Sequence, residues 1–307
     1  MSDKIKNYYQ GIFVTETILG NPNGDFIDNS PRNIDGNVFT TDKCIKYNIR
    51  NYIHSNYENI KENENMVFFY PRLQENAKPY ESKFLTRDQV FSKYFNKKFE
   101  DVLENAVDVK MFGGTFSLKK DPKQIYGPIQ ISYGLDINDA QIKKLQIGAP
   151  FANKEKDKQK TIGTESIVDD AIITYDIIIN PNNYPELLSE NNLKLFKEAL
   201  WYGTNSRKTT SKKTDAKVLI LIKFKNEKDT IKSFNIGELK ETLSIKNKNE
   251  RLNHGKIVFD TTNLIKKLET YEEYIDSIDI YRDKNEVDIQ LNYENIQINY
   301  HEPKELL

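Results

Sequence analysis

The chain has 307 residues, room for about two average domains or for one core with large polar excursions, and 37% of them are hydrophobic. Its 18 Tyr and 16 Phe exclude a disordered chain, because disorder depletes aromatics. The net charge of −1 excludes no partner by itself, whereas the single cysteine, Cys44, excludes an internal disulfide framework and a cysteine-built zinc site.

Residues 8–19 predict a first strand, with Ile12, Val14 and Ile18 alternating around Thr15 and Thr17. A long loop follows, dense in turn residues from Asn21-Pro22-Asn23-Gly24-Asp25 through Pro31-Arg32 to Asp35-Gly36-Asn37. Thr41 is the expected cap of a helix running to Tyr52 or Ile53, with Ile45 and Ile49 on its core stripe. Lys43, Lys46 and Arg50 recur at helical spacing and predict a separate basic stripe. Cys44, beside the apolar stripe, reads as a small buried thiol.

Residues 55–108 mix short apolar runs with helix-like segments and read as an insertion. Residues 111–115, with Gly113 and Gly114, read as a turn, and Ile129, Ile131, Tyr133 and Leu135 alternate as a strand. The stretch around Phe151 and the charged run 154–160, closed by Gly163, predicts a projecting hairpin or mobile loop. Residues 167–179 predict a long strand, and Ser189 caps a helix with Leu193, Phe196, Ala199 and Leu200 inward, ended by Gly203. Residues 218–224 have the apolar density of a central strand. A helix from Asp260 and strands at 275–281 and 287–293 complete the chain. Without repeats or a dividing linker, the pattern predicts an α+β sheet with one helical face. The first seven residues lack the apolar run of a secretory signal and no stretch reaches 18 apolar residues, so a cytoplasmic, non-membrane location is expected.

Charge is distributed unevenly. Residues 203–225 hold seven basic side chains, among them Arg207 and Lys208, against one acid; residues 269–307 hold eleven acids against three bases. Such a contrast predicts faces with different partners, the plainer account being an uneven scatter of solvated charge. No nucleotide-binding glycine loop or metal-binding histidine motif is present, and His54, His254 and His301 stand apart in polar contexts as surface residues. Asp25, Asp28 and Asp35 share one loop and could gather a cation or act as a base, yet Asp is also what long turns require. Neither a catalytic residue nor a metal ligand nor a cofactor is assigned. Phosphate binding has better support, from Lys46 and Arg50 on a helix that opens directly after a Gly- and Asn-rich loop.

These segments, in order, resemble the type I CRISPR backbone subunits of the Cas-seven family, above all the I-B branch. The resemblance is carried by Asn21 to Asp25, Pro31-Arg32, Thr41 to Lys46 with Arg50, Phe112-Gly113-Gly114, Gly127 to Gln130 with Gly134, Thr161-Ile162-Gly163 before Val168, and Glu198 to Gly203 before Arg207. It implies a modified RRM (ferredoxin-like) palm with a helical fingers insertion at 55–108, a protruding thumb at 137–163, and the remainder of the palm at 226–307. It also implies the partners: CRISPR RNA, further copies of the chain, cap, large and repeat-processing Cascade subunits, and target DNA through the assembled complex. The RNA-binding residues it implies are Asn21, Asn23, Arg32, Thr41, Lys43, Lys46, Arg50, Gly113, Gly114, Phe151 as a thumb wedge, Lys154, Arg207 and Lys208. The aromatic signature with which ordinary RRM sheets stack bases is absent, which suits a subunit that must accept any spacer sequence. Two other readings compete: a type III-like subunit cutting RNA with Asp25, Asp28 or Asp35, and a protein scaffold that uses the acidic C-terminal segment.

Overall fold

β1 (Tyr9–Gly20) is buried along nearly its whole length, so both of its faces are covered. The computed structural model describes residues 4–117, 122–149, 161–184, 187–226, 234–248 and 255–307; Phe151, Lys154 and His254 lie outside the described residues. After β1 come β2 (Asn33–Ile34), β3 (Asn37–Thr40) and the helix α1 (Asp42–Asn56). The next part is mainly helical, with α2 (Arg87–Tyr94), α3 (Phe99–Asn105) and α4 (Val107–Phe112). Six strands follow: β4 (Gly113–Phe116), β5 (Lys123–Tyr126), β6 (Ile129–Ile131), β7 (Gly134–Asp136), β8 (Ile142–Ala149) and β9 (Thr161–Ile179). Then come α5 (Glu190–Ser206), β10 (Thr214–Phe224), β11 (Ser244–Ile245), β12 (Ile257–Asp260) and α6 (Thr262–Thr270). The chain closes with β13 (Ile275–Arg282), β14 (Val287–Asp288) and β15 (Gln297–His301).

The architecture is mixed α/β around a central, mostly antiparallel sheet. Among the described residues that sheet has ten strands in the order β15-β13-β10-β1-β9-β7-β3-β2, with β6 and β8 also paired to β9. Only the β13–β15 pair is parallel. One face packs on α1 and α5, joining Phe13, Tyr175 and Leu219 to Ile45, Ile49, Phe196 and Leu200. The other face, with Ile12, Val14 and Ile220, packs on Leu264 and Leu268 of α6 and on the small β11-β12-β14 sheet. The expected single helical face is therefore corrected to two covered faces. The cause is legible in the strands: Val218 to Ile222 are consecutive buried residues, the pattern of a strand enclosed on both sides.

Several local expectations change for physical reasons. Ser189 caps α5 as expected, accepting from the Asn192 N–H. Gly203 does not end α5, which continues to Ser206; a Cβ there would lie 2.7 Å from the Asn48 carbonyl oxygen, so the glycine permits close approach to α1. Residues 111–115 are the junction of α4 and β4, not a turn, with Gly113 at φ 66°. The strand expected over 129–135 breaks at Ser132-Tyr133 into β6 and β7. Of 287–293 only β14 is strand, and β15 supplies the partner of β13.

The basic and acidic segments do not face different partners throughout. β10 pairs directly with β13, so Lys223 meets Asp276 at 3.0 Å and Lys217 bonds Glu286 at 2.6 Å. His54 and His301 are also more engaged than surface residues: His54 bonds Glu58, and His301 lies between Asp279 and Glu305.

Residues 55–108 contribute most of a third apolar cluster, with Met66, Phe68, Val90, Phe95 and Val102, which extends to Phe116 and Ile125 on the β4–β5 ribbon. β9 changes character along its length. From Val168 onward it lies in the main sheet against β1, whereas Thr161 to Ile167 pair only with β8. On β8, Leu145 and Ile147 are 44% and 48% exposed, so this ribbon stands away from the core. No helix among the described residues is long and apolar enough to cross a membrane.

Candidate nucleic-acid interface

Leu19, the last residue but one of β1, has a φ of 45°, a conformation that side chains with a Cβ rarely adopt, and the loop before β2 begins just after it. The Asn21 N–H donates to the Ser211 carbonyl at 2.7 Å, tying this loop to the segment after α5. Asn23 Oδ1 accepts from both the N–H and the hydroxyl of Thr41, at 3.0 and 3.1 Å. Thr41 stands at the N-cap of α1, but its hydroxyl accepts nothing from the helix. The expected side-chain cap is thus replaced by a contact across the loop. Asn21 Nδ2 donates to the Asn29 carbonyl at 2.6 Å, while its Oδ1 is buried with no protein partner.

Between this loop, the start of α1 and the segment after α5 lies a cleft of about 620 Å³. Four basic side chains line it, Arg32, Lys43, Arg207 and Lys212, together with three aromatic ones, Phe26, Tyr47 and Tyr133. None of its described lining residues carries a carboxylate. The Arg207 guanidinium lies 4.3 Å from the Tyr47 ring centre and donates to Asn48 Oδ1 at 3.0 Å. Lys212 Nζ donates to the Pro22 carbonyl at 2.6 Å and sits 3.3 Å from Cys44 Sγ. Burial pushes the Lys212 ammonium below the ordinary lysine value, and the Cys44 sulfur pulls it partly back. Cys44 is half-buried on the cleft wall, which corrects the expectation of a core thiol.

Lys46 and Arg50 occupy the neighbouring flank of α1 and are not a solvated stripe. Lys46 bonds Asp42 at 3.1 Å, and Arg50 bonds Asp108 at 2.8 Å, with side-chain exposures of 13% and 14%. Both lie over the Phe112 ring, at 5.5 and 5.4 Å. Gly114 backs this flank, since a Cβ there would meet the Phe69 ring at 2.3 Å. Lys208 points its ammonium at Asp215, 2.5 Å away, and is not part of the cleft lining.

The cleft therefore unites Asn21, Asn23, Arg32, Thr41, Lys43 and Arg207 of the expected residues. It leaves Lys46, Arg50, Gly113, Gly114 and Lys208 outside. The sequence reading missed Phe26, Tyr47, Tyr133 and Lys212 as lining residues. Tyr47 had a signal, one helical turn beyond Lys43; Tyr133 had none, because the break in its strand is not written in an alternating pattern.

The three loop aspartates serve turns. Asp25 Oδ1 accepts the N–H groups of Ile27 and Asp28 at 2.8 and 3.0 Å, and these bonds hold its carboxyl below the ordinary aspartate value. Asp28 Oδ1 accepts from the Ser30 N–H. Asp35 and Gly36, at φ 50° and 88°, form the tight turn between β2 and β3. Among the described residues no group of three His, Cys, Asp or Glu is placed to hold a metal ion.

A cleft with several cations, several rings and no acid suits a ligand that is both polyanionic and ring-bearing, which is the chemistry of a nucleic-acid strand. Residues 7–278 match the profile of the family CRISPR-associated protein Cas7, and the chain belongs to that family. In fold it is similar to a chain of a solved "CRISPR RNA-guided surveillance complex, pre-nicking", with a TM-score of 0.53 at 10% identity over 97% of this chain and 98% of that one. A chain of another "CRISPR RNA-guided surveillance complex" gives a TM-score of 0.49 at 11% identity, over 97% and 96%. No curated protein matches.

Proposed function

We propose that the chain is a non-catalytic, CRISPR RNA-binding backbone subunit of a type I surveillance complex, polymerising along the spacer RNA and presenting it to target DNA. The observation that carries this is the cleft in which Arg32, Arg207 and Lys212 meet no carboxylate among the described residues. Half-buried cations left without acids need an anion from outside, and phosphates supply it without regard to base sequence. Lys43, 80% exposed at its side chain, extends the same path. Lys46, Arg50, Gly113 and Gly114 are a second, supporting surface, with the RNA passing over whatever donors their internal bonds leave open.

In this reading the main sheet is an RRM-like palm completed by 226–307, residues 55–108 are fingers, and 137–163 are the thumb. The third apolar cluster supports the fingers, and the exposed β8–β9 ribbon supports the thumb. The type III-like alternative requires a loop aspartate free for chemistry, and Asp25 and Asp28 already accept backbone N–H groups. Partners are the CRISPR RNA, neighbouring copies and the other Cascade subunits, with no cofactor and a cytoplasmic location.

Size-exclusion chromatography with RNAs of increasing length tests the proposal. Wild type should add subunits stepwise as the RNA lengthens. A variant with 144–166 replaced by a short turn should fold and bind RNA, but lose the stepwise series. Failure of wild type to bind RNA would overturn the function, and stepwise coating by the shortened variant would overturn the thumb. Magnesium-dependent cleavage of the bound RNA that Asp25→Ala, Asp28→Ala or Asp35→Ala abolishes would restore the enzyme reading.

A further inference from the structure

The loop between β1 and β2 carries two large apolar side chains that nothing in the fold covers: Phe26 is 98% exposed and Ile27 96%. Leaving a phenylalanine in water forgoes the favourable removal of its ring from solvent. The display is held firmly. Besides the bonds to Asp25 and Asp28, the Asp25 N–H donates to the Ser30 carbonyl at 2.9 Å and the Arg32 N–H to the Asn23 carbonyl at 3.1 Å. Gly24 lies so close to Asn29 that a Cβ would meet Oδ1 at 2.2 Å. A braced loop that holds its ring out has no internal use for it.

The surroundings say what the ring would meet. The Arg32 guanidinium stands 5.3 Å from the Phe26 ring centre and backs one face. The other face is open, and the ring belongs to the lining of the cationic cleft. Arg207 and Lys212 line the same cleft, so a strand with its phosphates along them would have a base within reach of that lip. A protein partner would need acids to match this wall as well as an apolar surface to cover the tip, whereas a nucleotide carries the anion and the flat ring in one unit.

We propose that Phe26, backed by Arg32, is a stacking platform for one unpaired base of each stretch of RNA held by a subunit, with Ile27 flanking that base. The proposal rests on the RNA-binding reading and adds to it a fixed base position for every copy. Because every base has a π-face, the platform tolerates any sequence, with a modest preference for purines.

The test uses single-stranded RNA carrying 2-aminopurine at successive positions, with fluorescence and affinity read for wild type, Phe26→Ala and Phe26→Trp. Wild type should quench the probe strongly at one position. Phe26→Ala should abolish that quenching and weaken binding about ten-fold, the loss of one base–aromatic stack. Its salt dependence and melting temperature should not change, since no phosphate contact and no buried group is removed. Phe26→Trp should restore both signals. Equal quenching and affinity in Phe26→Ala would overturn the proposal while leaving RNA binding standing. So would a Phe26→Ala variant that binds one RNA site normally but coats long RNA poorly, which would assign the tip to a neighbouring copy. If wild type binds no RNA, the parent reading and this proposal fall together.

Discussion

Arg50 and Arg207 lie on two sides of α1, and each sets its guanidinium over aromatic rings: Arg50 at 5.6 Å from Phe69 and 5.4 Å from Phe112, Arg207 at 4.3 Å from Tyr47. Their polar partners differ. Arg50 ends on the fully buried carboxylate of Asp108, which also accepts the N–H groups of Phe68 and Phe69 at 2.8 and 3.0 Å. Arg207 ends on the neutral amide of Asn48. The first arginine is neutralised inside the protein and clamps the segment 55–108 to α1. The second keeps its charge available. What decides whether a basic residue holds the fold or a ligand is the acid beside it, and its place on the helix decides much less.

The largest expected effect is on the clamp. Asp108→Ala leaves Arg50 without its counter-charge and two backbone N–H groups without an acceptor, a loss of about 3–5 kcal/mol for a broken buried pair. Urea unfolding should show it as a lower midpoint, with the wild-type slope if the transition remains two-state. A loss below about 1 kcal/mol would mean that Arg50 is as free as Arg207, and the contrast between them would collapse. For the same reason Lys46→Ala/Arg50→Ala would report stability together with any contribution to RNA binding.

The cleft should respond the other way. Arg32→Ala/Arg207→Ala removes two cations that meet no carboxylate among the described residues, so folding should change little. The salt dependence of RNA binding should flatten by about 1.4 in its log–log slope, roughly 0.7 per lost phosphate contact on a single strand. Filter binding over a range of salt concentrations measures this. An unchanged slope would take both residues out of the interface.

Much of this was legible in the sequence, and the illegible part has a common cause. The apolar runs of β1, β9 and β10 and the Ile45/Ile49 stripe of α1 announce themselves through periodicity, because burial repeats with the element. Ser189 announces α5 through its capping chemistry. The cation of Arg50 looked solvent-facing because its acid lies 58 residues away in a segment with no obvious relation to α1. Lys217 and Lys223 read as part of a basic face because their acids come from other segments: Asp276 on β13 for Lys223, and Glu16 on β1 and Glu286 after β13 for Lys217. Phe26 carries no signal, since sequence does not reveal that a turn holds a ring outward. Periodicity reports which side chains are buried, and tertiary pairing alone reports which charges are cancelled.

The smallest expected effect sharpens the contrast within the cleft itself. Burial pushes the Lys212 pKa below the ordinary 10.5, so it loses its proton at a lower pH than an exposed lysine. Only the protonated form attracts phosphate. Affinity for RNA should therefore fall as pH rises, at values where exposed lysines still hold their charge. Read as a salt slope, the loss can reach at most about 0.7, one single-strand contact, as pH rises toward the ordinary lysine range. Burial is the largest influence on Lys212, Cys44 opposes it, and Arg207 and Lys208 push in the same direction as burial. The Cys44 sulfur, 3.3 Å from Nζ, helps to hold the Lys212 proton on and so opposes the effect. Cys44→Ser removes that complication and should make the fall in affinity begin earlier. Lys212→Arg, charged at every pH used, should make the slope constant. A wild-type slope that stays constant over the same range would show that Lys212 keeps its proton like the solvated lysines, and that this part of the cleft wall is wetter than its packing against Pro22 and Cys44 implies.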